Sequence, residues 1–222
     1  MKNRKKLFLV AVLAVTLAFT ACARQAHGQH NPESDFEFVI IGNNEGVRIT
    51  RYVGNREMVV IPPRIQRIPV TEIGEMAFDP FYTNIRITSV IIPNRVTSIG
   101  RMAFYNNQLT SVIIPDSVTY IDRSAFERNQ LTSVTIGNSV TYIGSSAFSN
   151  NRLTSVTIPN SVTYIDSSAF RNLLTSVTIG ADVTIANANA FPTGFVTAYN
   201  NSGRLAGTYT RPDTTSTVWT RQ

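Results

Sequence analysis

Leu109-Thr-Ser-Val112, Leu131-Thr-Ser-Val134 and Leu153-Thr-Ser-Val156 repeat one word at a spacing of 22 residues. Behind each copy come an Ile (Ile114, Ile136, Ile158), then Ser-Val-Thr-Tyr-Ile, then Ser-Ala-Phe. A fixed period in the twenties marks a solenoid, in which one supersecondary unit stacks on copies of itself. Each unit leaves two faces open, so its neighbours complete the core and the end units need caps.

Working outward, regular rungs begin at Ile87, Leu109, Leu131, Leu153 and Leu174. An atypical first rung opens at Met58-Val-Val-Ile-Pro62 and closes at Val70 to Phe78. Between Ala77 and Ala103 the spacing grows to 26, so four extra residues loop out near Asp79 to Asn84. The last rung is one residue short, with Ala186 at the expected Ile position and Ile185 one place early. Phe36 to Ile41, Gly42-Asn-Asn-Glu-Gly46 and Val47 to Val53 read as strand, turn, strand, an N-terminal hairpin cap. Phe195 to Tyr199, a turn at Asn200 to Gly203, Leu205 to Thr210 and Thr215 to Thr220 read as a C-terminal β cap, with Trp219 covering the last open core face.

The N-terminus reads as a targeting signal. A basic head, Met1 to Lys6, precedes an uncharged apolar run from Leu7 to Phe19, too short to span a bilayer at about 20 residues and of the right length for a secretory core. It ends at Phe19-Thr20-Ala21-Cys22, which fits a bacterial lipoprotein box with Cys22 as the lipidated first residue. Acyl chains at about 0.8 kcal/mol per buried CH₂ would anchor the protein to a membrane. Cys22 is the only cysteine, so no disulfide staples the fold. The expected domains are 1–21, signal peptide; 22–35, lipidated Cys and flexible tether; 36–57, N-terminal β cap; 58–194, repeats; and 195–222, C-terminal β cap. Removing the head takes away four of the 20 basic residues and leaves 16 against 14 acidic ones. At about +2 the mature chain gives no footprint for nucleic acid.

Within a rung, Leu109, Val112 and Ile114 have the L-x-x-L-x-L spacing of a leucine-rich repeat, and Val118, Ile121, Ala125 and Phe126 complete the interior. Pro93, Pro115 and Pro159, or Gly137 and Gly180, end each strand. Gly100, Asp122, Gly144 and Asp166 share one site, where an N-cap would open a short helical turn. Asn107, Asn129 and Asn151 form a column whose amides can satisfy backbone groups of the next rung. The pattern L-T-S-V-x-I-P-x-S-V-T-x-I-G-x-x-A-F resembles the BspA-like (treponemal-type) bacterial leucine-rich repeats from about Tyr52 to Phe191. The resemblance implies a right-handed stack of ~22-residue rungs, with short parallel strands on the concave face, turns and loops opposite, and bacterial surface proteins that attach to host matrix and other cells. One departure is Asn at 107, 129 and 151, where that family often carries Cys.

Strand positions three and five face the concave side of such a repeat. They are Ser89, Ser111, Ser133, Ser155 and Ser176, and Ile91, Ile113, Thr135, Thr157 and Thr178. This is either a solvated sheet of good β-formers or a hydroxyl-rich docking face with an apolar corner at Ile91 and Ile113. Tyr120, Tyr142 and Tyr164 form an outward aromatic column, read as an inter-rung stack with a glycan-binding stripe as the alternative. Arg101 and Arg123, with Glu127 near, make a small basic spot. Catalysis finds no support: a nucleophile–His pair needs His or Cys inside the fold, and the only histidines, His27 and His30, lie in the tether. Asp122 and Asp166, two rungs or roughly 10 Å apart, could imitate a glycosidase pair, although Gly144 between them shows that the carboxylate is optional. No metal or cofactor is expected. The expected function is non-catalytic recognition of a protein at the cell envelope through the concave sheet, as an exported, lipid-anchored adhesin at the cell surface. The alternatives are a periplasmic-facing scaffold for another bacterial protein and, remotely, a glycan-binding or glycan-hydrolysing protein.

Overall fold

The computed structural model describes residues 30–222. The expected signal peptide, Cys22 and the first part of the tether, His27 included, lie outside the described residues. The chain winds into a β-solenoid of about six stacked turns.

Each regular rung contributes two short parallel strands rather than one. The first is the Ser-Val-x strand, at Ser89–Ile91, Ser111–Ile113, Ser133–Thr135, Ser155–Thr157 and Ser176–Ile179. The second is an x-Ile pair, at Ser98–Ile99, Tyr120–Ile121, Tyr142–Ile143, Tyr164–Ile165 and Thr184–Ile185. The x-Ile strands run in one unbroken ladder from the N-terminal hairpin to the last rung. The Ser-Val-x strands form no such continuous ladder: Ser111–Ile113 pairs with Ser133–Thr135, Ser155–Thr157 with Ser176–Ile179, and Ser89–Ile91 with Met58–Val60.

The third side of the rung departs from the expected helical turn. Met102, Ser124, Ser146 and Ser168 hold φ of 55°, 56°, 58° and 56°, a left-handed conformation that breaks a helix. The amides that a helix would use internally bond instead to the next rung. Ser124 N donates to Ser145 O at 2.8 Å, Phe126 N to Ala147 O at 2.8 Å and Arg128 N to Ser149 O at 3.1 Å. Asn106, Arg128 and Asn150 repeat this conformation, so each of these rungs holds two left-handed residues at about 1–2 kcal/mol apiece, set against three inter-rung hydrogen bonds. The Asp122 and Asp166 carboxylates therefore cap no helix; each accepts from the next amide, Arg123 N or Ser167 N, at 2.6 Å.

Two interior columns run the length of the stack. Phe78, Phe104, Phe126, Phe148, Phe170 and Phe191 stack ring on ring, with centroids 4.8 to 5.4 Å apart. That matches the strand spacing of about 4.8 Å. The asparagine column satisfies backbone, as its amide chemistry suggests. Asn129 Oδ1 accepts from Leu109 N at 3.0 Å, and its Nδ2 donates to Phe104 O at 2.8 Å. Asn107 and Asn151 repeat the arrangement. Asn172 joins as a fourth member in the shortened rung, donating to Phe148 O at 2.9 Å and accepting from Asn151 N at 2.9 Å.

The length irregularities leave the phenylalanine column continuous, while the shortening before Leu174 shifts the asparagine column, Asn172 accepting from Asn151 N where its predecessors accept from a leading Ile or Leu amide. The four extra residues fold into a helical turn, Pro80–Thr83, with Asp79 Oδ1 accepting from Phe81 N at 2.9 Å. In the last rung, Ile185 stands opposite Ile165 and Thr184 opposite Tyr164. Thr184 thus fills the tyrosine position, and the residue lost falls in the segment between Thr178 and Thr184, so Ile185 is in register rather than one place early.

The ends are closed by different means. The hairpin Phe36–Ile41 and Gly46–Tyr52 extends the x-Ile ladder, Gly46–Tyr52 running parallel to Ile68–Ile73. Part of the expected tether belongs to the fold: Asn31 is buried, its Oδ1 accepts from Val60 N at 2.9 Å, and its Nδ2 reaches the Asp35 carboxylate at 2.8 Å. Its polar composition conceals this, because a buried Asn that finishes an exposed strand edge looks in sequence like any linker residue. At the other end Phe195–Asn201 is a helix and not the expected strand. Phe195, Val196 and Tyr199 lie on its inner face, and a helix plugs an open core mouth that a single strand would cover only at its edge. Tyr199 OH donates to Gly180 O at 2.8 Å and accepts from Val183 N at 3.0 Å. Gly207–Thr210 then pairs antiparallel with Ser176–Ile179, and Thr220–Arg221 with Gly207–Thr210. Trp219, 6% exposed, packs edge-on against Phe195 beneath the Arg211 guanidinium.

Asn129→Ala should destabilise the domain by about 2–4 kcal/mol, because it strands a buried amide and a buried carbonyl together. Urea denaturation checks this. A loss of under about 0.5 kcal/mol, the surface-substitution range, would show that the column is dispensable.

Candidate recognition surface

The Ser-Val-x strands place their buried valines inward and their first and third residues outward, as a period of two requires. Val90, Val112, Val156 and Val177 are buried. Ser89, Ser111, Ser133, Ser155 and Ser176 follow one another along the stack. The second line is Ile91, Ile113, Thr135, Thr157 and Thr178, with Ile113 facing Thr135 and Thr157 facing Thr178 in register. Ile113 is 43% exposed and Ile91 half-buried. The structure thus presents both predicted columns on one side of the stack, although the strands that carry them divide among three small sheets. Val60, opposite Ile91, adds a third aliphatic residue to the apolar end that the sequence had shown only as Ile91 and Ile113. At the far end the face is closed by the C-terminal strand, where the Thr178 and Thr208 hydroxyls share a hydrogen bond of 2.9 Å.

Beside the apolar end lies a shallow groove of about 390 Å³, lined by His30, Val60, Ile61, Pro63, Arg64, Ile91, Ile92, Pro93, Asn94 and Arg95. Sequence reading missed Arg64, Arg95 and this groove, because Arg64 belongs to the irregular first rung and repeat arithmetic does not locate it against Arg95. It likewise missed Phe81, which is 81% exposed on the inserted helical turn.

The tyrosine column stacks. Tyr120 and Tyr142 centroids are 4.7 Å apart and Tyr142 and Tyr164 5.4 Å, with planes within 5°. Ring faces that cover one another are not open to a sugar ring, so the geometry favours the inter-rung stack over the glycan stripe. Tyr142 OH donates to Asp166 Oδ2 at 3.2 Å. Burial, and next to it the Asp166 carboxylate, push the Tyr142 phenol up to about 12. Asp166 is thus held by the Ser167 amide and the Tyr142 hydroxyl, and Asp122 by the Arg123 amide, which suits structural roles. Of the expected basic spot, Arg101 pairs with Glu75, and Glu127 accepts from Asn150 Nδ2 at 3.2 Å. Among the described residues no group of three or more His, Cys, Asp or Glu is placed to hold a metal ion, and no helix is long and apolar enough to cross a membrane.

A stacked solenoid with a strand face, an internal asparagine column and an aromatic spine defines a repeat protein built for contact along a surface. The family described as BspA type leucine rich repeat region matches residues 71–194 in 6 copies, and the chain belongs to that family. Among solved structures it is similar to the leucine-rich-repeat protein of T. pallidum, at 30% identity and a TM-score of 0.60, covering 67% of this chain and 71% of that one. A leucine-rich-repeat protein of Bacteroides ovatus shares the fold at 24% identity and a TM-score of 0.53. That match covers 72% of this chain and 41% of the other. A search of curated proteins finds no match. Repeats of this family are typically non-catalytic and serve protein binding or surface interaction.

The raised Tyr142 phenol has a signed consequence. Below the ordinary tyrosine value of 10.0 both folded and unfolded chains keep this proton. Between there and about 12 the unfolded chain loses it first, so stability falls as pH rises through that window. Tyr142→Phe should flatten the fall, measured as the urea midpoint against pH. An unchanged slope would remove Tyr142 as its source.

Proposed function

We propose that the protein is a non-catalytic recognition protein of the cell envelope, exported and lipid-anchored through Cys22, that binds a host-matrix or cell-surface protein with its Ser-Val-x face. The observation that carries this reading is the apolar end of that face. Val60, Ile91 and Ile113 stand side by side where Thr135, Thr157 and Thr178 continue the same line. Valine, isoleucine and threonine are all good β-formers, so strand formation does not by itself call for the aliphatic choice at the end that stays partly exposed. An aliphatic patch bordered by hydroxyls has the arrangement of an interface core with a polar rim. Family membership supports contact with proteins or surfaces, and the adhesin role and the lipid anchor rest on the sequence around Cys22 together with that patch.

The test has two arms. An antibody to the repeat domain should label intact cells as strongly as permeabilised ones, beside a periplasmic control. Labelling only after permeabilisation would overturn the surface adhesin and leave a periplasmic-facing scaffold. Ile91→Asp combined with Ile113→Asp should abolish attachment of cells to immobilised matrix protein. The urea midpoint should change little, because both side chains are at least partly exposed. Unchanged attachment would sink the Ser-Val-x face as the docking site.

A further inference from the structure

We infer that the groove at the apolar end of this face is a binding site for an acidic segment of the partner protein, with Arg64 and Arg95 receiving its carboxylates while Val60 and Ile91 receive an apolar side chain between them. The inference rests on the proposed docking face and adds the chemistry of what occupies it.

The groove's charge is one-sided. Its lining holds two guanidinium groups and no carboxylate. Three ion pairs occur among the described residues, Arg48–Glu72, Arg51–Glu37 and Arg101–Glu75, and neither groove arginine takes part in one. Two acidic side chains near this corner are engaged elsewhere, Glu33 accepting from Gln66 N at 3.0 Å and Asp35 from Asn31 Nδ2 at 2.8 Å. Gln66 and Arg67 form a tight turn with φ of 50° and 69°. Arg67 O takes Arg64 Nη1 at 2.8 Å, which holds that guanidinium in place and leaves its other donors open. Arg95 stands on the neighbouring rung, two residues beyond Pro93. An arginine fork matches a carboxylate with two parallel hydrogen bonds. Arginine is also a residue type that concentrates binding energy at interfaces.

The floor supplies the apolar half. Pro63 and Pro93 give it rigid walls without amide donors. Ser89–Ile91, which pairs with Met58–Val60, lies against Ser111–Ile113 on the next rung, so an occupant of the groove is continuous with one on the proposed docking face. Preformed walls and one held guanidinium lower the ordering cost of binding.

The repeat domain, residues 30–222, is titrated with two fluorescein-labelled peptides of equal length, valine alternating with glutamate in one and with lysine in the other. Anisotropy should rise with the glutamate peptide alone, and the affinity should fall as salt increases. Arg64→Glu and Arg95→Glu should each weaken binding at least about tenfold, whereas Arg152→Glu, on another rung, should leave it unchanged. No binding of the glutamate peptide up to about 1 mM, a limit of roughly −4 kcal/mol, would overturn the inference. So would equal binding of both peptides, or affinity indifferent to Arg64 and Arg95. Binding to vesicles containing anionic lipid that needs Arg64 and Arg95, without binding to the peptide, would replace the protein segment by a membrane surface. If the peptide fails while Ile91→Asp with Ile113→Asp still abolishes attachment, the docking face stands and only its acidic partner falls.

Discussion

No rung of this protein is finished by itself. Its amides, carbonyls and ring faces point along the stack, and each finds its partner about 4.8 Å away on the next rung. Phe126 shows the demand in one residue: its ring lies between Phe104 and Phe148, and its amide bonds to Ala147 O. Asn129 adds the polar counterpart, tying the carbonyl of Phe104 to the amide of Leu109. These two columns run through every rung, and they persist even where the spacing falls to 21 residues, from Phe170 to Phe191 and from Asn151 to Asn172. Insertions and losses are taken up mostly between the columns, as the turn Pro80–Thr83 and the segment shortened before Thr184 show.

The same dependence explains the ends. A stack whose cohesion passes from neighbour to neighbour presents an uncovered face at its first and last rungs. The N-terminal hairpin continues the x-Ile ladder and places Tyr52 under Phe78 at 5.5 Å. The C-terminal helix sets Phe195 against Phe191 at 4.5 Å, and the strand after it continues the Ser-Val-x pairing. Each cap thus closes the aromatic spine and one of the two strand rows.

With the interior and two sides given over to holding rungs together, variation free of structural cost is left to outward side chains. The Ser-Val-x face is where such variation is informative. Its threonines and its aliphatic residues Val60, Ile91 and Ile113 suit a strand equally well, and the aliphatic three set an apolar end on a hydroxyl-lined row. Arg64 and Arg95 beside them carry charge that no neighbouring carboxylate answers. The tyrosine column is different, since stacked faces and the Tyr142–Asp166 hydrogen bond account for it within the molecule.

The sequence by itself determined the repeat, its period, the inward residues and both outward columns. All of these follow from local rules: a side chain's place in a 22-residue cycle decides whether it meets the core or solvent. It also disclosed the backbone-satisfying role of Asn107, Asn129 and Asn151, because a buried amide column has few other uses. Tertiary structure alone decided what depends on contacts between distant positions. Ser124 turns left-handed because its amide belongs to Ser145 on the next rung. Asn31 is buried because Val60 needs an edge partner. Phe195–Asn201 is a helix because the last rung leaves an open mouth for an apolar face to plug. The groove between Arg64 and Arg95 exists only where an irregular first rung meets a regular one, a juxtaposition that no period in the chain encodes.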